Sequence, residues 1–266
     1  MITYLPLTIV NPMSLFDPMH TWSTLYKTIT FQCLIIVLAV LSAPDVRAQT
    51  EDAGRVLIDD FESYETGKLP TGWDWQENDS QTDKPYVVEQ EAGNKYLAAD
   101  DHGQSVILGK KVKVDIDAYP YLSFRWRVHQ IPANGDERHG KTGDSAAAVY
   151  VIYKLSFGLI PVTVKYVWSS TLPVGTALQR SGVGRPWIIV AASGKTGLNE
   201  WQTHVFDVRA AYRETFGKRP PHKIVAIAVL SDANATGSEA AADYDDICFL
   251  SKAVAGSGID HVVEAD

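Results

Sequence analysis

A chain of 266 residues with 45% hydrophobic, 10% aromatic and 21% charged residues has the make-up of a folded globular protein. That composition excludes collagen, coiled coil and wholesale disorder. Lys and Arg number 24 against 32 Asp and Glu, a formal charge of −8, which excludes a protein that coats nucleic acid by neutralising phosphates.

The first feature along the chain is the apolar run 31–43, Phe-Gln-Cys-Leu-Ile-Ile-Val-Leu-Ala-Val-Leu-Ser-Ala. A membrane-spanning helix needs about 20 apolar residues, so this run is too short to cross a bilayer. Lys27 precedes it, and Val46-Arg47-Ala48 places small residues at the −3 and −1 positions of a cut. Residues 1–48 therefore read as an export signal cleaved after Ala48, with Met19 as an alternative start. The mature chain is expected in the periplasm or secreted, without a transmembrane segment. It keeps one of the two cysteines, Cys248, so no internal disulfide forms, and Cys248 reads as a small buried hydrophobe on a strand.

From residue 55 the apolar pattern has period two, broken by Gly, Pro, Asn and Asp. Strands are expected at 55–59, 85–90, 95–99, 104–108, 110–116, 120–129, 144–154, 161–169, 186–192, 200–207, 223–231 and 243–250. One helix is expected at 208–216, capped by Asp207 and ended by Gly217 before Pro220-Pro221. The expected fold is all-β: one antiparallel β-sandwich of jelly-roll type with one short helix, spanning 49–252, followed by a flexible tail, 253–266.

No self-announcing catalytic motif is present. Gly194-Lys195-Thr196 lacks the P-loop glycine five positions earlier, where Ile189 stands, and Gly182-Val183-Gly184 meets Trp187 where a dinucleotide fingerprint needs its third glycine. Neither a nucleotide nor a redox cofactor is expected.

Four constellations carry charge or aromatic surface. Asp60 and Glu62 near the start and Asp245 near the end would meet if the terminal strands pair. Hard oxygen ligands of this kind suit a structural calcium ion, and solvated edge charges with turn caps are the alternative. Arg125 and Arg127 alternate with Phe124, Trp126 and Val128, so both guanidiniums leave the core on one face. They answer either buried carboxylates or an anionic ligand. Lys165 lies on a strand with Tyr166 and Trp168, and the loop Gly72-Trp73-Asp74-Trp75 offers further aromatic surface or a hydrophobic plug. Asp232, Asn234 and Thr236 follow a strongly apolar strand, either crowning a site or making turns.

The stretches Phe124–Val128, Gly143-Asp144-Ser145-Ala146-Ala147-Ala148-Val149-Tyr150-Val151, Lys165-Tyr166-Val167-Trp168-Ser169, Phe216-Gly217, Asp232-x-Asn234-x-Thr236 and Ala242-x-Tyr244-Asp245-Asp246-Ile247-x-Phe249 occur in order. Together they resemble an uncharacterised family of exported bacterial proteins, domain-of-unknown-function family three thousand and forty-seven, over nearly all of 55–250. That resemblance implies export and domain bounds, not an activity. A second resemblance, through Asp60-Phe61-Glu62 and Asp245-Asp246, is to jelly-roll carbohydrate-binding modules, which often hold a structural calcium there.

The functional expectation is an exported β-sandwich that binds a saccharide or cell-envelope glycan, acidic ones being favoured by the cationic side chains. Arg125, Arg127, Asp144 and Lys165 would line one polar concave face with Asp232 at its rim. Two alternatives stay open. One is a glycan-active enzyme, either a lyase using Tyr150 or Tyr166 for proton transfer, or a hydrolase using Asp136 and Asp144. The other is an envelope assembly subunit without small-molecule chemistry.

Overall fold

The computed structural model describes residues 8–9, 51–52, 54–75, 85–156 and 160–258. The apolar run 31–43 and the expected cut after Ala48 lie outside the described residues, and no described helix is long and apolar enough to cross a membrane. The elements in chain order are strands β1 (Thr8–Ile9), β2 (Glu51–Asp52), β3 (Arg55–Asp59), β4 (Asp74–Trp75), β5 (Tyr86–Glu91), β6 (Asn94–Asp101), β7 (Leu108–Asp115) and β8 (Tyr121–Gln130). Then come β9 (Ala147–Ser156), β10 (Ile160–Ser169), β11 (Thr176–Gln179), β12 (Trp187–Ser193), β13 (Gln202–Asp207), helix α1 (Val208–Phe216), β14 (Lys223–Leu230), β15 (Ala240–Leu250) and helix α2 (Lys252–Gly258).

These strands form the two sheets of an all-β sandwich. The larger runs β1-β11-β12-β10-β9-β14-β7-β4, and the smaller runs β13-β8-β15-β3-β2, with β6 also on β15 and β5 beyond it. Two pairs are parallel, β10 with β12 and β1 with β11, where an antiparallel sandwich was expected. The chain leaving β10 passes over the place of β12, forms β11, and returns as an antiparallel partner of β11, so β12 enters between them alongside β10.

Alternation assigns the faces. On β8, Leu122, Phe124, Trp126 and Val128 belong to the inter-sheet core, and on β10 so do Val164, Tyr166 and Trp168. The residues between them must point outward from their own sheets. A second buried apolar cluster, Ala148, Val167, Leu172, Leu178, Ile188, Val190 and Leu230, covers the outer face of the larger sheet. Cys248 is a free thiol buried on β15, as expected of a small hydrophobe on a strand.

Helix α1 has the expected ends. The Asp207 carboxylate accepts from the amides of Arg209 (2.9 Å) and Ala210 (2.8 Å), and Gly217 closes it in the left-handed conformation at φ 62°. That left-handed turn favours glycine, which has no Cβ to clash. Four expectations need correction. Residues 104–107 are not a strand, because the Asp101 carboxylate draws the amides of Gly103, Gln104 and Ser105 into a loop. Residues 144–146 are a loop entering β9 for a related reason given below. The short β4 and β11 carry too few residues to show a period. Ala253, expected to open a flexible tail, lies in helix α2, where Ala255 is buried and its amide donates to the Ser251 carbonyl.

Candidate functional site

The two arginines stand on the outer face of the smaller sheet. A bulge in β15 between Asp245 and Cys248 puts Asp246 at φ 50° and turns two consecutive carboxylates toward one partner. Arg125 Nη2 donates to Asp245 Oδ2 at 2.5 Å and to Asn94 Oδ1 at 2.7 Å, while its Nε lies 2.9 Å from Asp246 Oδ2. Arg127 Nε donates to Asp243 Oδ2 at 2.8 Å and Nη1 to Glu91 Oε2 at 2.6 Å. His129 also contacts Asp243, at 2.7 Å. Trp201, which enters β13, lies under both guanidiniums at 4.7 and 4.8 Å, and Tyr96 flanks Arg127 at 5.3 Å. Cations here are answered by buried carboxylates and covered by rings, so the face is an ion-pair layer that holds β8, β15, β5 and the β6 turn together.

Lys165 is on the other side of the molecule. It stands on β10 between core residues Val164 and Tyr166 and therefore faces outward from the larger sheet, as does Tyr150 opposite it on β9. The expectation that Arg125, Arg127, Asp144 and Lys165 share one hollow is thus overturned: two packed sheets separate the arginines from the lysine. The expected calcium ligands are not brought together either. Asp245 is taken by Arg125 and Asn94, Asp60 accepts the Glu62 amide in a turn at 3.3 Å, and Glu62 accepts the Lys95 amide at 2.9 Å. Among the described residues no three His, Cys, Asp or Glu side chains are arranged to hold a metal. A guanidinium on Asp245 would repel a cation, so these residues do not fit calcium. The strong carboxylate near the start is Asp59. It accepts from Trp73 Nε1 (2.7 Å), Tyr64 Oη (2.8 Å) and Lys110 Nζ (2.6 Å) and fixes the aromatic loop as a plug.

Around Lys165 the register builds a floor. Lys165 lies opposite Ile188 and Tyr150, Tyr150 opposite Ala228, and Ala228 opposite Gly109. Beyond Tyr150 the row continues to Ala228 and then Gly109, both small and both buried. The Lys165 ammonium sits over the Tyr150 ring at 5.3 Å. Lys165 is 5% exposed, yet among the described residues its ammonium makes neither a hydrogen bond nor an ion pair. Tyr150 beside it is only half-buried and opens this row to solvent.

The loops at one end of this face are pinned by buried carboxylates. Asp101 accepts four amides, those of Gly103, Gln104, Ser105 and Ala233. Asp144 accepts the Ala235 amide (3.2 Å) and both the amide and hydroxyl of Thr236 (2.7 Å each). Glu137 accepts the hydroxyls of Ser145 (2.9 Å) and Ser169 (2.6 Å). Asp144 and Glu137 are fully buried, so they tie loops and do not present chemistry to a ligand. Their ties also explain why 144–146 cannot join β9. Asp232 differs: among the described residues the one backbone amide on its carboxylate is that of Asn234, at a long 3.5 Å.

Charges in this cluster perturb one another. Burial pushes the Asp232 carboxyl up to about 6, with Asp144 and Asp101 adding to the shift and Lys165 opposing it. Burial lowers Lys165, while Asp232, Glu137 and Asp144 pull it back up. Burial likewise raises Glu137. The outward set is thus Lys165, Tyr150 and Asp232, with Ser105 against Asp232 and Arg180 within the field of Lys165. The sequence singled out Lys165 and Asp232. Glu137, a candidate partner of the arginines together with Asp136, Asp144 and Asp232, instead accepts from Ser145 and Ser169, and Ser105 carries no signal in the sequence because its importance comes from a loop contact that no local pattern records. Of the residues tied to enzyme alternatives, Tyr166 is buried in the core, and Asp136 is paired with Arg138 at 2.7 Å.

Among solved structures, the chain is similar to a family 11 carbohydrate-binding module of cellulosomal cellulase Lic26A-Cel5E from Clostridium thermocellum, with 12% identity, 76% of this chain and 96% of that chain covered, and a TM-score of 0.37. It is similar to the xyloglucanase domain of NopAA from Sinorhizobium fredii, with 9% identity, coverage of 70% and 96%, and a TM-score of 0.39. It is also similar to TmCBM61 in complex with β-1,4-galactotriose, with 13% identity, coverage of 78% and 100%, and a TM-score of 0.33. At these identities and scores no ligand and no residue role transfers to this chain. No curated protein matches it significantly. The family model described as "Protein of unknown function (DUF3047)" matches residues 71–248, more than half of the chain, and the chain belongs to that family.

Proposed function

We propose that this is an exported protein that binds a saccharide of the cell envelope on the outer face of its larger sheet. Lys165, Asp232 and Tyr150 are the contacting residues, and acidic sugars are the favoured class. One observation carries the reading: among the described residues the ammonium of Lys165, on a side chain only 5% exposed, has no hydrogen-bond acceptor. A charged donor left to solvent at the end of a buried stem marks a place where a partner completes the set. A sugar suits this arrangement because it brings acceptors for Lys165, hydroxyl donors for Asp232, and an apolar C–H face for the tyrosine ring. A sugar carboxylate is the strongest acceptor it could offer an ammonium.

The test is a glycan array of neutral and acidic envelope saccharides probed with the wild-type protein, Lys165→Met and Tyr150→Ala. The expected result is saccharide binding by the wild type that both variants lose, Lys165→Met while keeping the wild-type melting temperature and Tyr150→Ala at temperatures where it is still folded. Binding that survives both substitutions would move the site elsewhere. A wild type that binds no saccharide would favour an assembly role without small-molecule chemistry. Export is tested separately by cell fractionation, which should find the protein outside the cytoplasm.

A further inference from the structure

The four buried carboxylates near Lys165 are not equivalent. Asp101 is saturated by four amides, Asp144 by two amides and a hydroxyl, and Glu137 by two hydroxyls. Asp232 is 9% exposed and has one amide at 3.5 Å, with the Ser105 hydroxyl against it. Ser105 is held at φ 53°, a left-handed conformation that a serine adopts at a cost, because Asp101 binds its amide at 2.8 Å. The groups facing Asp232 are Lys165 from β10, Asp144 from the loop before β9, and Asp101 and Ser105 from the loop before β7. Glu137 and Arg180 act on it through Lys165. Lys165 and Arg180 are therefore two cations set against four carboxylates.

This enclosure has a consequence for ligand charge. A ligand carboxylate reaching Lys165 enters the field of Asp232, and carboxylates crowded into a buried site do not all stay ionised. We propose, resting on the saccharide reading above, that the site takes up one proton together with an acidic sugar: protonated Asp232 donates to the ligand carboxylate while Lys165 holds it by charge. Neutral sugars bind the same floor without proton uptake. The carboxyl of Asp232, already raised to about 6 by burial, is placed to make this exchange near neutral pH. The bound anion raises it further, so acidic-sugar affinity grows as pH falls through that value, until the ligand's own acid is protonated.

The experiment uses the mature protein with polygalacturonate oligomers and their methyl esters as the charged and neutral probes, alongside the glycan array read at pH 5.5 and 7.5. The dissociation constant for acidic glycans should rise at least about tenfold between those pH values, as expected when the protonated form alone binds. Neutral glycans and methyl esters should show no such change. Calorimetry in two buffers of different ionisation enthalpy should count close to one proton taken up per acidic ligand at pH 7.5. Asp232→Asn, which mimics the protonated acid, should flatten the profile, and the proton count on the wild type gives the answer even if that variant does not fold. Saccharide binding with a flat pH profile and no proton uptake would overturn this inference and leave the saccharide reading standing. No saccharide binding at either pH would overturn both.

Discussion

The two outer faces of this sandwich carry the same chemical vocabulary, cations beside aromatic rings and buried carboxylates, and use it differently. On the smaller sheet Arg125 and Arg127 meet Asp243, Asp245, Asp246 and Glu91 directly, and Trp201 covers both. On the larger sheet Lys165 lies over Tyr150, and among the described residues no carboxylate forms an ion pair with it. Charge next to an aromatic ring does not by itself mark a site. What separates structure from site is whether the charge is already answered.

The comparison can be broken from either face. The largest effect is expected at the saturated one. Arg125→Ala with Arg127→Ala strips the buried Asp243 and Asp245 of their guanidiniums, leaving them only His129 and Asn94 with the Asp246 amide, and should cost about 3–5 kcal/mol of stability, read from denaturant midpoints. The surviving folded fraction should bind saccharide with unchanged affinity. Loss of binding at full stability would place the ligand on the arginines instead.

A smaller effect is expected from Asp144→Ala, which leaves the Ala235 and Thr236 amides without their acceptor and the Thr236 hydroxyl with only Ala233 and Ser238. The cost should be about 2–3 kcal/mol, and binding should weaken as the loop that presents Asp232 loosens. Asp232→Asn goes the other way. Its native carboxyl titrates at about 6, above the value of an unfolded aspartate, so the native state binds the proton more tightly. Wild-type stability is therefore lost as pH rises from about 4 through 6. The Asn variant escapes that loss. It should be more stable than wild type by on the order of 2 kcal/mol at pH 7.5 and no more stable below pH 4. Equal pH dependence in the two proteins would show that Asp232 is not perturbed.

The contrast between faces also explains what the sequence could and could not convey. Period-two alternation located most strands, and it correctly sent Arg125, Arg127 and Lys165 away from the core. The polar end signals of α1, Asp207 and Gly217, fixed its bounds because caps are local chemistry. Alternation says which residues leave a sheet, not which sheet they leave, so the two cationic strands were assigned to one hollow although they belong to different layers. Pairing partners were equally hidden. Asp245 looked like a terminal calcium ligand because its arginine lies 120 residues away. Asp60 and Glu62 drew notice where the neighbouring Asp59 holds three side chains, and nothing in a run of two aspartates tells which one turns inward. Asp101, Asp144 and Glu137 act on loops distant in the chain, so their role appeared only once those loops were in place.

The most direct test is the dissociation constant of Lys165→Met, beside wild type, for the strongest acidic hit on the array at pH 5.5, together with both melting temperatures. An unanswered ammonium that waits for a ligand predicts affinity weakened at least about tenfold with a melting temperature unchanged or raised, since methionine fills the buried stem without a charge to desolvate. Undiminished affinity in this variant would contradict it.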